Sequence, residues 1–154
     1  MRAESSIPFV GLHAHSGFSE FDGLGFPQEH MDFAYENGND AHALTDHGHM
    51  NGFSYQVQHI KKMKKENKDF KAIFGVEAYF IPSVKEWKEK SEELKGQKLE
   101  KSELSKKRRK INRTRHLVLL AQNQKGLNNI FKLVSESHTG DNYYRKPRMD
   151  YEML

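Results

Sequence analysis

Ala72-Ile73-Phe74-Gly75-Val76-Glu77-Ala78-Tyr79-Phe80-Ile81 is the stretch on which the fold turns. Its apolar side chains run on without the polar alternation of a half-exposed strand. Such a run predicts a strand over residues 72–81 that is covered on both faces, as in a sheet layered with helices. Pro82 closes it. One carboxylate, Glu77, sits in the middle. A carboxylate in that setting costs several kcal/mol unless it is paired or bound to a metal. Two readings of Glu77 therefore stand: a salt bridge to one of the many lysines, or a metal ligand.

Working upstream, residues 41–45 form a short strand that ends in Asp46-His47-Gly48. Phe53, Val57, Ile60 and Lys64 follow helical spacing with Met63 adjoining, and the lysines beyond Ile60 suit a helix C-terminus. Nearer the start, Phe9-Val10-Gly11-Leu12 reads as a strand running into His13 and His15. Residues i and i+2 of a strand share a face, so the two rings can converge on one point. Residues 16–27 carry Gly17, Gly23, Gly25 and Pro27 and read as a loop, with Pro27 suited to a first helical turn. A helix over 28–37 is expected from Met31, Phe33, Ala34 and Tyr35, stopped by Gly38.

Downstream, residues 83–115 are dominated by Lys, Glu, Arg and Ser and read as an exposed insertion, helical or partly disordered. Residues 85–115 are expected to make few apolar contacts with the body. Residues 116–121 are strand-like again. Asn123 can cap a helix whose Leu127, Ile130, Phe131 and Val134 share one face, with Gly140 ending it. Residues 142–154 start polar and aromatic and end in Asp150-Tyr151-Glu152-Met153-Leu154, which looks like the start of a further element. The order β-α-β-α-β-insertion-β-α predicts an α/β fold with a parallel sheet and crossover helices. In barrels of that class the chemistry lies at the C-terminal strand ends. His13, His15, His47 and Glu77 fit that rule, whereas His116 begins its strand and fits less well.

Charge is unevenly distributed. Residues 95–115 hold ten Lys or Arg against two Glu, while the other 133 residues hold 15 basic and 19 acidic side chains. A slightly acidic body thus carries one basic segment, which speaks against a uniformly basic nucleic-acid-binding domain. The run Lys106, Lys107, Arg108, Arg109, Lys110 has two readings, contact with DNA phosphates or with a partner protein, and a solubilising loop. There is no cysteine, which excludes disulfides and thiolate metal sites. No apolar run approaches the roughly 20 residues of a membrane helix. Residues 1–6 lack a signal-peptide core, so cytoplasmic residence is the expectation.

The candidate ligands are His13, His15, Asp22, His47, Glu77 and His116. Histidines and carboxylates suit zinc, manganese or iron, and a site built from several of them suits metal-assisted hydrolysis of a phosphate ester. Asp22, before Gly23, can equally be a turn residue. Asp46 can cap the next helix or orient His47 from behind. The second member of His47-Gly48-His49 is not taken as a ligand, and His138 reads as a surface residue. No Gly-Lys-Ser or Gly-Lys-Thr phosphate loop occurs.

With those residues in view, the chain resembles the PHP domain (polymerase and histidinol phosphatase) at the N-terminus of the bacterial replicative DNA polymerase III alpha subunit. The likeness rests on residues 9–16, Asp22-Gly23, residues 43–48, residues 74–79, residues 116–123, and Tyr143-Tyr144-Arg145-Lys146-Pro147-Arg148-Met149-Asp150. The motifs follow in order along almost the whole chain, and the Lys-Pro-Arg tail points to the polymerase branch. The resemblance implies that residues 1–154 are the N-terminal part of a distorted (β/α)7 barrel, with 83–115 as a basic exposed insertion. It implies up to three divalent metals: His13 and His15 on the first, Glu77 bridging the first and second, His116 on the second, Asp22 and His47 on the third. The implied chemistry is metal-dependent 3′–5′ exonuclease or phosphoesterase activity. Where ligands are lost the family's domain is a scaffold, and a stand-alone phosphoesterase on a small phosphorylated metabolite ranks behind both. The family's late Asp-x-His pair has no counterpart here, and the polymerase palm is absent. The resemblance therefore implies a split or truncated polymerase that does not synthesise DNA alone, and the open sheet edges of a partial barrel predict a chain that is poorly soluble or self-associating when isolated. Its implied partners are DNA, a separate chain with the rest of the alpha subunit, and other replisome proteins.

Overall fold

The computed structural model describes residues 2–3 and 9–154. Residues 1 and 4–8, most of the stretch read for a signal peptide, lie outside it. In chain order the elements are α1 (Pro27–Glu36), β1 (Ala41–Leu44), α2 (Phe53–Lys65), β2 (Lys71–Phe80), α3 (Val84–Lys95), α4 (Lys101–Ile111), β3 (Arg115–Leu120) and α5 (Gln124–Ser137). A 3-10 turn at Gly140–Asn142 leads into β4 (Tyr143–Tyr144) and β5 (Lys146–Met149). No helix among the described residues is long and apolar enough to cross a membrane.

The apolar run quoted above is β2, the strand every other strand is built around. Its first half pairs in parallel with β1, from Ala41↔Lys71 to Leu44↔Phe74. A single parallel bridge, His47↔Glu77, continues that edge. Beyond it β5 pairs in parallel at Tyr79↔Arg148 and Phe80↔Met149, and β4 folds back on β5. Val76 and Ala78 are fully buried, as the continuous apolar run predicts.

The strand read at 116–121 is β3, but it runs antiparallel to β2, from Gly75↔Leu120 to Phe80↔Arg115. The purely parallel expectation is thus corrected to a mixed sheet within an α/β fold. The reversal has a physical source. The insertion returns the chain to the end of β2 that it left from, so β3 descends beside β2 with no crossover helix. It also explains His116: at the start of an antiparallel strand it lies opposite Tyr79, at the C-terminal end of β2.

The strand expected at 9–12 reduces to one bridge, Gly11↔His42. Ala43 donates to Gly11 O at 2.8 Å, and Thr45 donates to Ala14 O at 2.8 Å. Three residues are therefore spanned on one side against two on the other, a bulge-like slip that ends the ladder. Phe9, Val10 and Leu12 stay exposed.

The helices form where the capping signals lie. Phe26 N–H donates to Glu29 at 2.5 Å ahead of Pro27. Asn123 accepts from Gly126 N–H at the start of α5. Met31, Ala34, Met63 and Phe70 pack a core between α1, α2 and the foot of β2. Phe53 joins α2 to the sheet and to α5 through Phe74 and Phe131, with ring centroids 4.9 and 5.0 Å away.

The insertion is ordered as two helices that pack mainly on each other and meet the body at few points, as expected. Val84 and Leu94 of α3 are buried, while α4 buries no residue. Asp150, itself buried, accepts from Val84 N–H at 2.7 Å and pins α3 to the end of β5. Trp87 lies 4.3 Å beneath the guanidinium of Arg148. Residues 151–153, where the sequence predicts the start of a further element, form a turn, and the β4–β5 hairpin ahead of them is not predicted because Pro147 makes its strand hard to read.

His42 on β1 is mostly buried, its Nε2 has no partner, and the ring stacks on His30. Burial, helped by the nearby His30, pushes its pKa down from 6.5 to about 4. The unfolded chain then takes up a proton that the folded chain refuses, so stability is lost as pH falls from 6.5 towards 4. Urea midpoints measured across that window should fall less steeply for His42→Asn than for the parent. Equal slopes would refute the assignment.

Candidate metal centre

Glu77 forms the floor of the site, its side chain 4% exposed. Its backbone is fixed on both sides, because Glu77 N–H donates to Asp46 O and Gly48 N–H donates to Glu77 O at 2.8 Å. Four histidines surround the carboxylate. His13 Nε2 and His15 Nε2 both meet Oε2, the latter at 2.6 Å. His116 Nδ1 lies 2.5 Å from Oε1, and His47 Nδ1 faces the same oxygen at 3.9 Å. Asp22 meets His47 Nε2 and lies 3.3 Å from His15 Nδ1. The six residues therefore form three overlapping triads: His13-His15-Glu77, His15-Asp22-His47 and His47-Glu77-His116. Every one of the six sequence candidates takes part, and no lysine pairs with Glu77 among the described residues.

The donors grade from buried to open. His15 and His47 are 15% and 12% exposed and wall the floor, while Asp22, His13 and His116 are about half exposed and form a rim. Burial alone would raise the Glu77 carboxyl. The hydrogen bonds with His13 and His15, with the charge of His47, outweigh it and hold Glu77 below the usual carboxylate range. The hydrogen bond with His47 likewise lowers Asp22. Both carboxylates are thus ionised and acceptor-only. Tyr79 stacks on His47 and meets His116 edge-on, with centroids 5.6 and 5.3 Å away. Burial, then the charges of Glu77 and Asp22, raises its phenol above 10.0, so the hydroxyl keeps its proton.

The donor set fits divalent metals. Ligands about 2.1 Å from a tetrahedral zinc stand roughly 3.4 Å from one another. His13 Nε2 and His15 Nε2 are 3.1 Å apart, and His15 Nδ1 and Asp22 are 3.3 Å apart. His47 Nδ1 is buried without a hydrogen-bond partner, which a ligand role would satisfy.

The loop that follows His15 is held by Asp46, which does not cap the following helix and reaches the His47 backbone through Ser19. The buried Asp46 carboxylate accepts from Ser16 N–H at 2.7 Å, from Ser16 Oγ at 2.9 Å and from Ser19 Oγ at 2.9 Å. Ser19 then accepts from His47 N–H at 3.0 Å. Asp46 follows β1 while Ser16 and Ser19 lie in the loop before α1, so local sequence could not pair them. Gly23 is required by close approach: a Cβ there would fall 1.8 Å from Ser16 O. His49 Nε2 lies 3.1 Å from Phe18 O, and His138 Nδ1 lies 2.9 Å from Val134 O, so both serve the backbone. Of the basic run, Arg108 and Arg109 line a hollow against β5, whereas Lys107 pairs with Glu103 at 3.5 Å.

A family model, the PHP domain, matches residues 11–154. The DNA polymerase III subunit alpha of Treponema pallidum is 35% identical over 148 residues, covering 96% of this chain and 11% of that protein. The subunit of the same name from Aquifex aeolicus is 35% identical over 150 residues, covering 97% of this chain and 11% of its own length. This chain thus spans about a tenth of the length of the curated relatives it matches. An amidohydrolase from Chromobacterium violaceum, solved with bound sulfate and no metal, aligns with a TM-score of 0.46 and 19% identity over 80% of this chain and 32% of the other.

Removing Asp46 should loosen the whole loop. Asp46→Ala is expected to lower the unfolding free energy by about 3 kcal/mol, the scale for lost hydrogen bonds to a buried charge. Urea titration followed by circular dichroism measures this. A loss below about 1 kcal/mol would mean that the loop is held by other contacts.

Proposed function

The chain belongs to the PHP domain family, and on that premise we propose that it is the N-terminal PHP segment of a DNA polymerase III alpha-type replicative polymerase. In this reading His13, His15, Asp22, His47, Glu77 and His116 bind up to three divalent ions, zinc, manganese or iron, and serve phosphodiester hydrolysis of the 3′–5′ exonuclease type. Its partners are DNA and the rest of the alpha subunit, in the cytoplasm. The observation that carries the reading is the convergence of four histidines on the buried, ionised Glu77 carboxylate, with Asp22 joined to them through His15 and His47.

Divalent ions bound by such a set lower the pKa of water and clamp the oxygens of a phosphate ester. The chain's own residues define where this would happen. Glu77 supplies charge from the floor, His15 and His47 close the walls, and the open rim at Asp22, His13 and His116 admits an extended substrate. Tyr79 offers a neutral hydroxyl at the edge.

A second reading, a metal-stapled scaffold, is favoured by where the donors come from. They lie on segments spread from residue 13 to residue 116, so bound metal would cross-link most of the chain whatever its chemistry. In that case metal raises stability without turnover.

Elemental analysis after incubation with zinc or manganese and gel filtration should find more than one ion per chain. Glu77→Gln should lose most of that metal while keeping the parent's circular dichroism. Equal metal content in parent and variant would defeat the site. Hydrolysis of bis(p-nitrophenyl) phosphate by the metal-loaded parent separates the phosphoesterase from the scaffold.

A further inference from the structure

The basic segment and the tail meet on the side of the sheet where β5 begins. Between α4 and the β4–β5 hairpin lies a hollow of about 550 Å³. Six cations line it: Lys101, Arg108, Arg109, Arg145, Lys146 and Arg148, and no carboxylate does. Among the described residues none of the six pairs with an acid. Elsewhere on α3 and α4, Lys88, Lys90, Lys95 and Lys107 each meet a carboxylate within 3.5 Å. Lys85, Lys106 and Lys110 on these helices also lack an acid, but the six in the hollow stand together with no carboxylate among them, and an anion would relieve their mutual repulsion.

Two of the six are held there against cost. Arg148 is buried, rests on Trp87, and donates from one nitrogen to Tyr144 O at 2.7 Å and Lys146 O at 3.0 Å, while its Nε has no partner. Arg145, at the hairpin apex, has φ of +60°, a left-handed conformation that a bulky residue adopts only under constraint.

Arg108, Asn112 and Tyr144 also line a second hollow, of about 350 Å³, where Trp87 and Tyr143 stand. Tyr143 and Tyr144 are both nearly half exposed. Cations that follow a phosphate backbone beside rings on which bases stack are the pairing that single strands require. An acidic protein segment would leave the rings unused. The surface is concave, whereas duplex DNA is read by elements that protrude into its grooves. At the start of β5, Lys146 Nζ sits 4.2 Å over the Tyr79 ring, which stacks on His47 of the metal centre.

We propose that the groove between α4 and the β4–β5 hairpin binds single-stranded DNA and leads it towards the Glu77 cluster. The second half of that statement rests on the phosphoesterase reading; binding in the groove does not.

The test therefore measures binding of fluorescein-labelled (dT)20 to the full chain by anisotropy, with EDTA present so that metal plays no part. Affinity should fall with salt at a log–log slope of about −3, the value for four neutralised phosphates on a single strand. Arg108→Ala with Arg109→Ala should weaken binding at least tenfold and flatten the slope by about 1.4. Both residues sit on α4, which buries nothing, so the fold should survive. Lys146→Ala repeats the test from the hairpin side. Tyr144→Ala should weaken binding roughly tenfold and leave the slope unchanged, because stacking releases no counterions. Lys61→Ala with Lys64→Ala, exposed on α2, should change nothing. Groove variants that bind like the parent would overturn the proposal. So would a 20-base-pair duplex that binds as tightly as the single strand, or polyglutamate that competes as well as the oligonucleotide. Loss of metal binding with (dT)20 binding intact would remove the phosphoesterase reading and leave the groove standing.

Discussion

A single ionised carboxylate inside the sheet is the constraint that orders the rest of this molecule. Glu77 is nearly inaccessible on a strand whose neighbours Val76 and Ala78 are fully buried. Left alone it would be neutralised or would expel the strand from the core. It is kept by histidines from three other segments and by a backbone ladder to Asp46 and Gly48. The cost of burying it is thereby converted into a requirement on chain path. The segment ending at His15, the turn after β1 and the start of β3 must all arrive at one end of β2.

That requirement accounts for the features that break simple βαβ alternation. The bulge-like slip between Gly11 and Ala14 ends a strand early, and beyond it His13 and His15 meet Oε2 of the same carboxylate. The antiparallel course of β3 brings His116 to the same end. Asp46 adds a second buried carboxylate directly behind the first, satisfied wholly by Ser16 and Ser19. One acid faces the rings and the other braces the loop that carries them. The division of labour follows from adjacency: successive residues after β1 point in opposite directions, so Asp46 turns inward and His47 turns to the cluster.

The basic helical hairpin belongs to the same design through β5. Arg148 links Trp87 of α3 to the strand that pairs with β2, and Lys146 covers Tyr79 beside the cluster. The segment that reads as a detachable charged insertion is thus anchored one side chain away from the candidate chemistry. Phe21, Leu24 and Phe26 stand exposed in the loop that carries Asp22.

The sequence alone determined β2, the amphipathic helices and all six members of the histidine–carboxylate cluster. Those signals are local: an unbroken apolar run, helical spacing with caps, an i, i+2 pair of rings, and a carboxylate too deep in an apolar strand to be incidental. Tertiary structure alone decided the direction of β3, the β4–β5 hairpin, the role of Asp46 and the pairing of the basic helix with Arg145, Lys146 and Arg148. Each of these depends on partners distant in the chain, or on a segment whose local composition points the other way. Pro147 argues against a strand, yet it is accommodated in a four-residue strand paired with β2 only at Arg148 and Met149. Arg148 reads as a surface cation, yet it is buried because the backbone carbonyls of Tyr144 and Lys146 and the face of Trp87 replace its water. Hydrophobic periodicity reports which residues leave solvent, and it carries no information about which distant segment will meet them there.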